Sequence, residues 1–232
     1  MNQVEAPKHS VSNWLKKPWL VVVDILVVLG FLFADRHHLV PLSNTPFLFV
    51  LAWASLRLRG SNWRSLGFER PTSWVRAIGI GVAVGILMEL LATYGIEPLL
   101  QKIIGRPPDL SNFKSMVGNI KFLLVILIFN WSVAAFGEEM VWRGYLMNRL
   151  ADLGKRSRSG WAFSLILASL LFGCAHGESQ GLTGILMESW NGLLLGLLYL
   201  AAGRQLSYPI IAHGVSNTLA FVLIFLGRYP GA

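Results

Sequence analysis

Charge is scarce in this sequence. Only 14% of its 232 residues are Asp, Glu, Lys or Arg, where a soluble domain carries about 25%. With 54% hydrophobic residues and a mean hydropathy of +0.55, the ordinary soluble and disordered classes are excluded. Cysteine is scarcer still. Cys174 stands alone, so an internal disulfide is impossible, and a lone cysteine reads first as a small packing residue. There is no His-Glu-x-x-His, the helix motif of many zinc peptidases. The first apolar run is followed by ADRHH, without a small-x-small cleavage site, so a retained helix is expected rather than a cleaved signal peptide.

What the sequence has is hydrocarbon in blocks of membrane-spanning length. Apolar runs lie near 18–35, 43–58, 74–95, 119–137, 160–176, 182–202 and 207–227. Helices are the spanning option for such runs, because the bilayer core offers no water to bond the backbone. Residues 138–150 also read as helical, either continuing the fourth run or forming a short helix of their own. The expected fold is all-α: a polytopic transmembrane bundle of seven to eight helices. One domain is expected over 18–232, behind a mobile polar tail at 1–17. The connector 57–74 is basic, with Trp63 and Trp74 placed as interfacial anchors. The connector 96–118 carries Pro98, Pro107 and Pro108 and is expected to hold a short surface or re-entrant piece.

The formal net charge of +8 does not point to nucleic acid. On a seven-span path, thirteen Lys and Arg residues fall on the side of the N-terminus, among them Arg57, Arg59, Arg64, Arg156 and Arg204, and six fall on the other. That is the positive-inside bias of a membrane protein whose N-terminus is cytoplasmic. The partner implied is the lipid bilayer.

Ionisable residues inside spans cost about 2.5–3.5 kcal/mol each on the insertion scale and mark function by default. Here Glu138, Glu139, Arg143, His176, Glu188 and His213, with Asn130, Asn191 and Asn217, gather between 130 and 217. Within AAFGEEMVWRGYL, Glu139 and Arg143 stand at i, i+4 and can pair on one face. Glu138 lies about 100° around the helix and points elsewhere. A carboxylate so placed, with Ala134 and Ala135 leaving room one turn back, suits a general base acting on water. In FGCAH, Phe172 and His176 are again four apart. In HGVSN, His213 and Asn217 share a face and both can donate hydrogen bonds, as stabilisation of a developing negative oxygen requires.

In their order and setting, Glu138-Glu139-x-x-x-Arg143, Phe172-x-x-x-His176 and His213-x-x-x-Asn217 resemble the CAAX protease and bacteriocin-processing (Abi) family of intramembrane proteases. Leu66-Gly67-Phe68 before the third span is similar to a segment often seen there. The resemblance implies a glutamic-type endopeptidase cutting a peptide or protein substrate at the membrane. Glu138 and His176 would activate water, His213 and Asn217 would stabilise the oxyanion, and Glu139, Arg143 and Phe172 would support them. No cofactor is expected, and the implied location is the cytoplasmic membrane of a bacterium. A zinc enzyme liganded by Glu138, His176 and His213 is the first alternative. A non-catalytic immunity or scaffold protein is the second, and a proton-coupled transporter a weaker third.

Other residues take simpler readings. Asp24 and Glu89 are expected to cap water-facing surfaces or pair between helices, Glu188 and Asn191 to border the cavity, and Gly79, Gly81 and Gly85 to let helices approach. Most Trp and Phe residues are expected at the lipid or the interface. One conflict arises. Counting spans puts Glu138 and His213 toward the cytoplasmic half and ends FGCAH nearer the other face. Either more helix follows the fifth span and leaves His176 mid-membrane, or 138–150 makes an extra crossing.

Overall fold

The computed structural model describes residues 17, 19–37, 39–40 and 43–229; the expected tail at 1–17 lies almost wholly outside them. Among the described residues there is no strand. Seven helices carry the fold: α1 (Leu20–Arg36), α2 (Thr45–Leu58), α3 (Trp74–Ile104), α4 (Ile120–Leu153), α5 (Arg158–Cys174), α6 (Gly177–Ala201) and α7 (Ser207–Phe225). Of these, α3, α4, α6 and α7 are long and apolar enough to cross a membrane, and α2 and α5 are shorter apolar helices. The molecule is an integral membrane bundle. Val75, Ile78, Ile86 and Leu87 of α3 and Leu124, Val125 and Ile128 of α4 are exposed, which in a bilayer is the lipid-facing side.

Local signals place the helix starts. The side chains of Ser73, Asn119 and Ser157 accept from the backbone N–H of Arg76, Phe122 and Gly160, so α3, α4 and α5 each begin at a capping residue. Two ends differ from the sequence reading. α3 does not stop near 95: its backbone shifts to i→i+5 winding at Ala92–Ile96 and runs on to Ile104. The connector proper is therefore 105–119, with a 3₁₀ turn at Ser111–Met116. The apolar run of the fourth span and residues 138–150 form one helix, with i→i+5 winding at Asn130–Glu138 and Met140–Leu146. Such winding is rare and found mostly at functional sites.

That continuous α4 resolves the depth conflict. Its C-terminal end adjoins the start of α5 across a short turn. Glu138 lies 15 residues before Leu153 and His176 lies 18 residues after Arg158, about 22 and 27 Å at 1.5 Å per residue. The two therefore stand at nearly the same level. No extra crossing is needed, because α5 is only 17 residues long and α6 begins directly after His176.

Helix contacts follow the small residues in part. A Cβ on Gly85 would lie 2.5 Å from the Ala212 carbonyl oxygen, and one on Gly81 2.7 Å from Ile211 Cβ, so these two set how closely α3 lies along α7. Gly79 meets nothing within 4 Å and faces away, contrary to expectation. Trp142 (3% exposed) and Phe172 (1%) are core residues; Phe172 is expected to support the site, while Trp142 departs from the lipid or interfacial placement expected of most aromatics. Trp63 stacks on Phe49 at 5.0 Å, while Trp74 is exposed. Leu66-Gly67-Phe68 docks on the α6–α7 turn: Leu206 N–H donates to the Gly67 carbonyl at 3.0 Å and Tyr199 Oη–H to the Leu66 carbonyl at 2.8 Å. Gly67 has φ +93°, and a Cβ there would collide with the Arg204 carbonyl.

Gly67→Ala therefore combines left-handed strain with a backbone clash, and should cost at least about 2 kcal/mol. Gly79→Ala adds helix propensity in open space and should be neutral or stabilise by up to about 1 kcal/mol. Thermal unfolding of both variants in detergent checks this; equal midpoints would contradict the docking.

Candidate active site

The site begins with a charge that has no access to solvent. Glu139 is 0% exposed and Arg143 3%. Arg143 Nη1 donates to Glu139 Oε1 at 2.6 Å, the i, i+4 pair expected from the sequence. The same oxygen meets His213 Nδ1 at 2.8 Å, across to α7. Arg143 Nη2 donates to the Gly192 carbonyl of α6 at 3.1 Å, and its guanidinium lies 4.5 Å from the centre of the Phe172 ring. Phe172 stands edge-on to both Trp142, at 5.6 Å, and His213, at 6.2 Å. Its carbonyl oxygen lies 2.9 Å from His176 Nδ1. Residues from α4, α5, α6 and α7 thus meet around one ion pair. Asn130, one of the polar residues singled out in the sequence, ties α4 to α7 a second time by donating to the Gly214 carbonyl at 3.0 Å and to Thr218 Oγ1 at 3.2 Å.

These contacts fix ring protonation. A carbonyl oxygen only accepts, so His176 carries its proton on Nδ1, and Nε2 is its other ring nitrogen, bare in the neutral ring. An ionised Glu139 likewise makes His213 donate from Nδ1. Among the described residues, neither Nε2 has a hydrogen-bond partner.

Above this support lies a cavity of about 380 Å³. Glu138, His176, His213 and Asn217 all line it, with Trp142, Glu188 and Asn191. The structure therefore brings together all four residues expected to be catalytic, and Phe172, Glu139 and Arg143 stand behind them. Glu138 makes no hydrogen bond among the described residues. Its Oε2 is buried without a donor, and the side chains of His176, His213 and Glu188 line the same cavity. The expected orientation of the adjacent glutamates holds: Glu139 faces the protein and Glu138 faces the cavity.

Two further acids behave as the simpler readings expected, one with an addition. Asp24 pairs between helices, with Arg149 at 2.8 Å and Arg59 at 3.4 Å. Glu89 also bridges helices, accepting from Thr93 Oγ1 at 2.8 Å and Ser216 Oγ at 3.0 Å, but it lines the cavity as well. The sequence signal was present in Glu89-x-x-x-Thr93, an i, i+4 pair in an apolar helix. Among the described residues, no three His, Cys, Asp or Glu side chains are placed to hold one metal ion.

Residues 120–219 match the family described as type II CAAX prenyl endopeptidase Rce1-like. Over these residues the chain is similar to the Rce1-like family. No curated protein and no solved structure matches the chain. The Rce1-like segment runs from the start of α4 into α7 and contains the three motifs that the sequence resemblance rested on. Glu89 and Asp24 lie outside it.

Glu139→Ala would leave Arg143 buried and unpaired and free the His213 ring, so a loss of about 3–5 kcal/mol is expected. Glu138→Gln breaks no protein contact and should change stability by less than about 1 kcal/mol. Thermal unfolding in detergent separates the two; a Glu139 variant as stable as wild type would contradict the supporting role.

Proposed function

We propose that this protein is an intramembrane endopeptidase in which water, activated by Glu138 and His176, hydrolyses a peptide bond of a membrane-associated or secreted substrate. The observation that carries the reading is the convergence of Glu138, His176, His213 and Asn217 on one cavity, with their supports bonded behind them. The Rce1-like family over residues 120–219 supports the protease class.

The proposed steps follow from which atoms can give and take protons. A water at the cavity end would direct one O–H to Glu138 and the other to His176 Nε2, leaving an oxygen lone pair for the scissile carbonyl carbon. As the C–O bond forms, Glu138 takes the proton and the carbonyl oxygen becomes an oxyanion. Asn217 Nδ2 donates to it. His213 donates from Nε2 in its doubly protonated state, its Nδ1 held on Glu139. Collapse breaks the C–N bond, and the proton on Glu138 passes to the leaving amine. The new carboxylic acid gives up the other water proton through His176 Nε2, so the products are a carboxylate and an amine. No acyl-enzyme forms, since no serine or cysteine nucleophile takes part.

The metal-free version is favoured because no three His, Cys, Asp or Glu side chains among the described residues are grouped so that they could hold one metal ion, and because Asn217 is an oxyanion donor rather than a usual zinc ligand. The bacterial cytoplasmic membrane, with the N-terminus inside, is the proposed location.

The test is cleavage by purified protein in vesicles. Glu138→Gln should lower kcat/KM by about 10²–10⁴, and Asn217→Ala by about 10²–10³, with unfolding midpoints retained. Activity should persist after treatment with a strong chelator. Loss of activity restored by zinc would favour the metalloprotease, and full biological activity of Glu138→Gln would favour the non-catalytic scaffold.

A further inference from the structure

The cavity wall has an uneven composition. Six of the chain's twelve acidic residues line it: Asp35, Glu89, Asp109, Glu138, Glu178 and Glu188. Among the described residues no lysine or arginine lines it, although basic residues outnumber acidic ones by 20 to 12 in the chain. The unsatisfied groups agree with the charges. Four buried polar atoms on this wall lack a protein partner, and all four are oxygens: Asn44 Oδ1, Asn130 Oδ1, Glu138 Oε2 and Asn191 Oδ1. The amide orientations are set by their partners, because Asn44 Nδ2 donates to Asp35, Asn191 Nδ2 to Glu188, and Asn130 Nδ2 to two acceptors. Asn130 is 1% exposed and Asn44 8%. Buried acceptors require donors. Lysine and arginine side chains supply donors, a positive charge and no acceptor.

The exposed part of the cavity wall lies toward one end of the bundle. That part comes from 108–113, from the α5–α6 turn around His176 to Gln180, and from the facing ends of α1 and α2. Asp109 N–H donates to the Gln180 carbonyl at 3.2 Å, joining two of these segments. The opposite end carries the connector 57–74, the α4–α5 turn and the α6–α7 turn. Eleven described Lys and Arg residues lie there, including Arg64, Arg70, Arg156 and Arg204, against six at the mouth end. The more basic end is the cytoplasmic one, so the mouth faces the other side of the membrane.

We infer that the site takes a cationic peptide segment, with lysine or arginine beside the scissile bond, presented from the extracytoplasmic side. The inference rests on the protease reading and names its substrate class. Carboxylates within low-dielectric walls focus the field, so positive charge is drawn into the cavity and negative charge kept out.

The experiment uses the full chain in phosphatidylcholine vesicles, with fluorescence-quenched peptides in which each position in turn is Lys, Gln or Glu. The expected result is a kcat/KM at least about tenfold higher for Lys than for Gln next to the cut, and lower again for Glu. The preference should shrink as salt rises from about 0.05 to 0.5 M, and in Asp109→Asn. Equal cleavage of the three series, or preference for Glu, overturns the substrate class while leaving the protease standing. Peptides left uncut equally by wild type and Glu138→Gln overturn both. For sidedness, in a Cys174→Ser background, Asn112→Cys should react with a membrane-impermeant maleimide in intact cells and Arg156→Cys only after lysis. The reverse pattern overturns the extracytoplasmic mouth.

Discussion

One buried carboxylate holds the site together. Glu139 is closed to solvent and accepts from both Arg143, on its own helix, and His213, on α7. Arg143 in turn reaches the Gly192 carbonyl on α6 and lies over the Phe172 ring of α5. Phe172 then sets the His176 ring through its backbone carbonyl. Apolar packing among these helices is non-directional and tolerates small slides and rotations. A charge shared by two donors in an apolar interior does not, since leaving either donor unpaired costs several kcal/mol. The registers of α4, α5, α6 and α7 are therefore coupled through one oxygen atom. The groups left without partners, Glu138 and the Nε2 atoms of both histidines, end up around a common space.

The winding of α4 belongs to the same design. Two stretches of i→i+5 backbone lie on either side of Glu139, in the part of the helix that turns from a lipid-exposed face to complete enclosure by protein. From Glu139 to Ala151 every residue is buried. Asn148 Nδ2 donates to the Arg143 and Gly144 carbonyls at 3.1 and 2.8 Å, supplying extra bonds to the backbone just where the winding changes back.

Much of this was legible in the sequence. Span-length apolar blocks gave the helical bundle, because hydropathy alone decides what can cross a bilayer. Helical spacing gave the Glu139–Arg143 pair and the outward turn of Glu138, because both depend only on positions within one helix. Contacts between helices were not legible. Nothing in the local pattern joins Glu139 to His213, 74 residues away, or Glu89 to Ser216. Gly79, Gly81 and Gly85 look alike in sequence, yet only the last two meet a neighbour, since helix rotation is set by tertiary packing. Helix length was misjudged at α3, where Pro98 reads as a breaker but falls in the first turn of the segment Glu97–Ile104 and is tolerated there. The direction of the cavity depends on which connectors wall it, and those connectors are brought together only by the fold.

The central claim, that Glu139 anchors the His213 ring through Nδ1 while a backbone carbonyl anchors His176, is tested most directly by nitrogen NMR. The measurement is made on protein carrying ¹⁵N only in its histidine rings, with each signal assigned by substitution. Both His176 and His213 should show a protonated Nδ1, and Glu139→Gln should shift the His213 signals while leaving those of His176 in place. A bare Nδ1 on His213, or His213 signals indifferent to Glu139, would contradict the account.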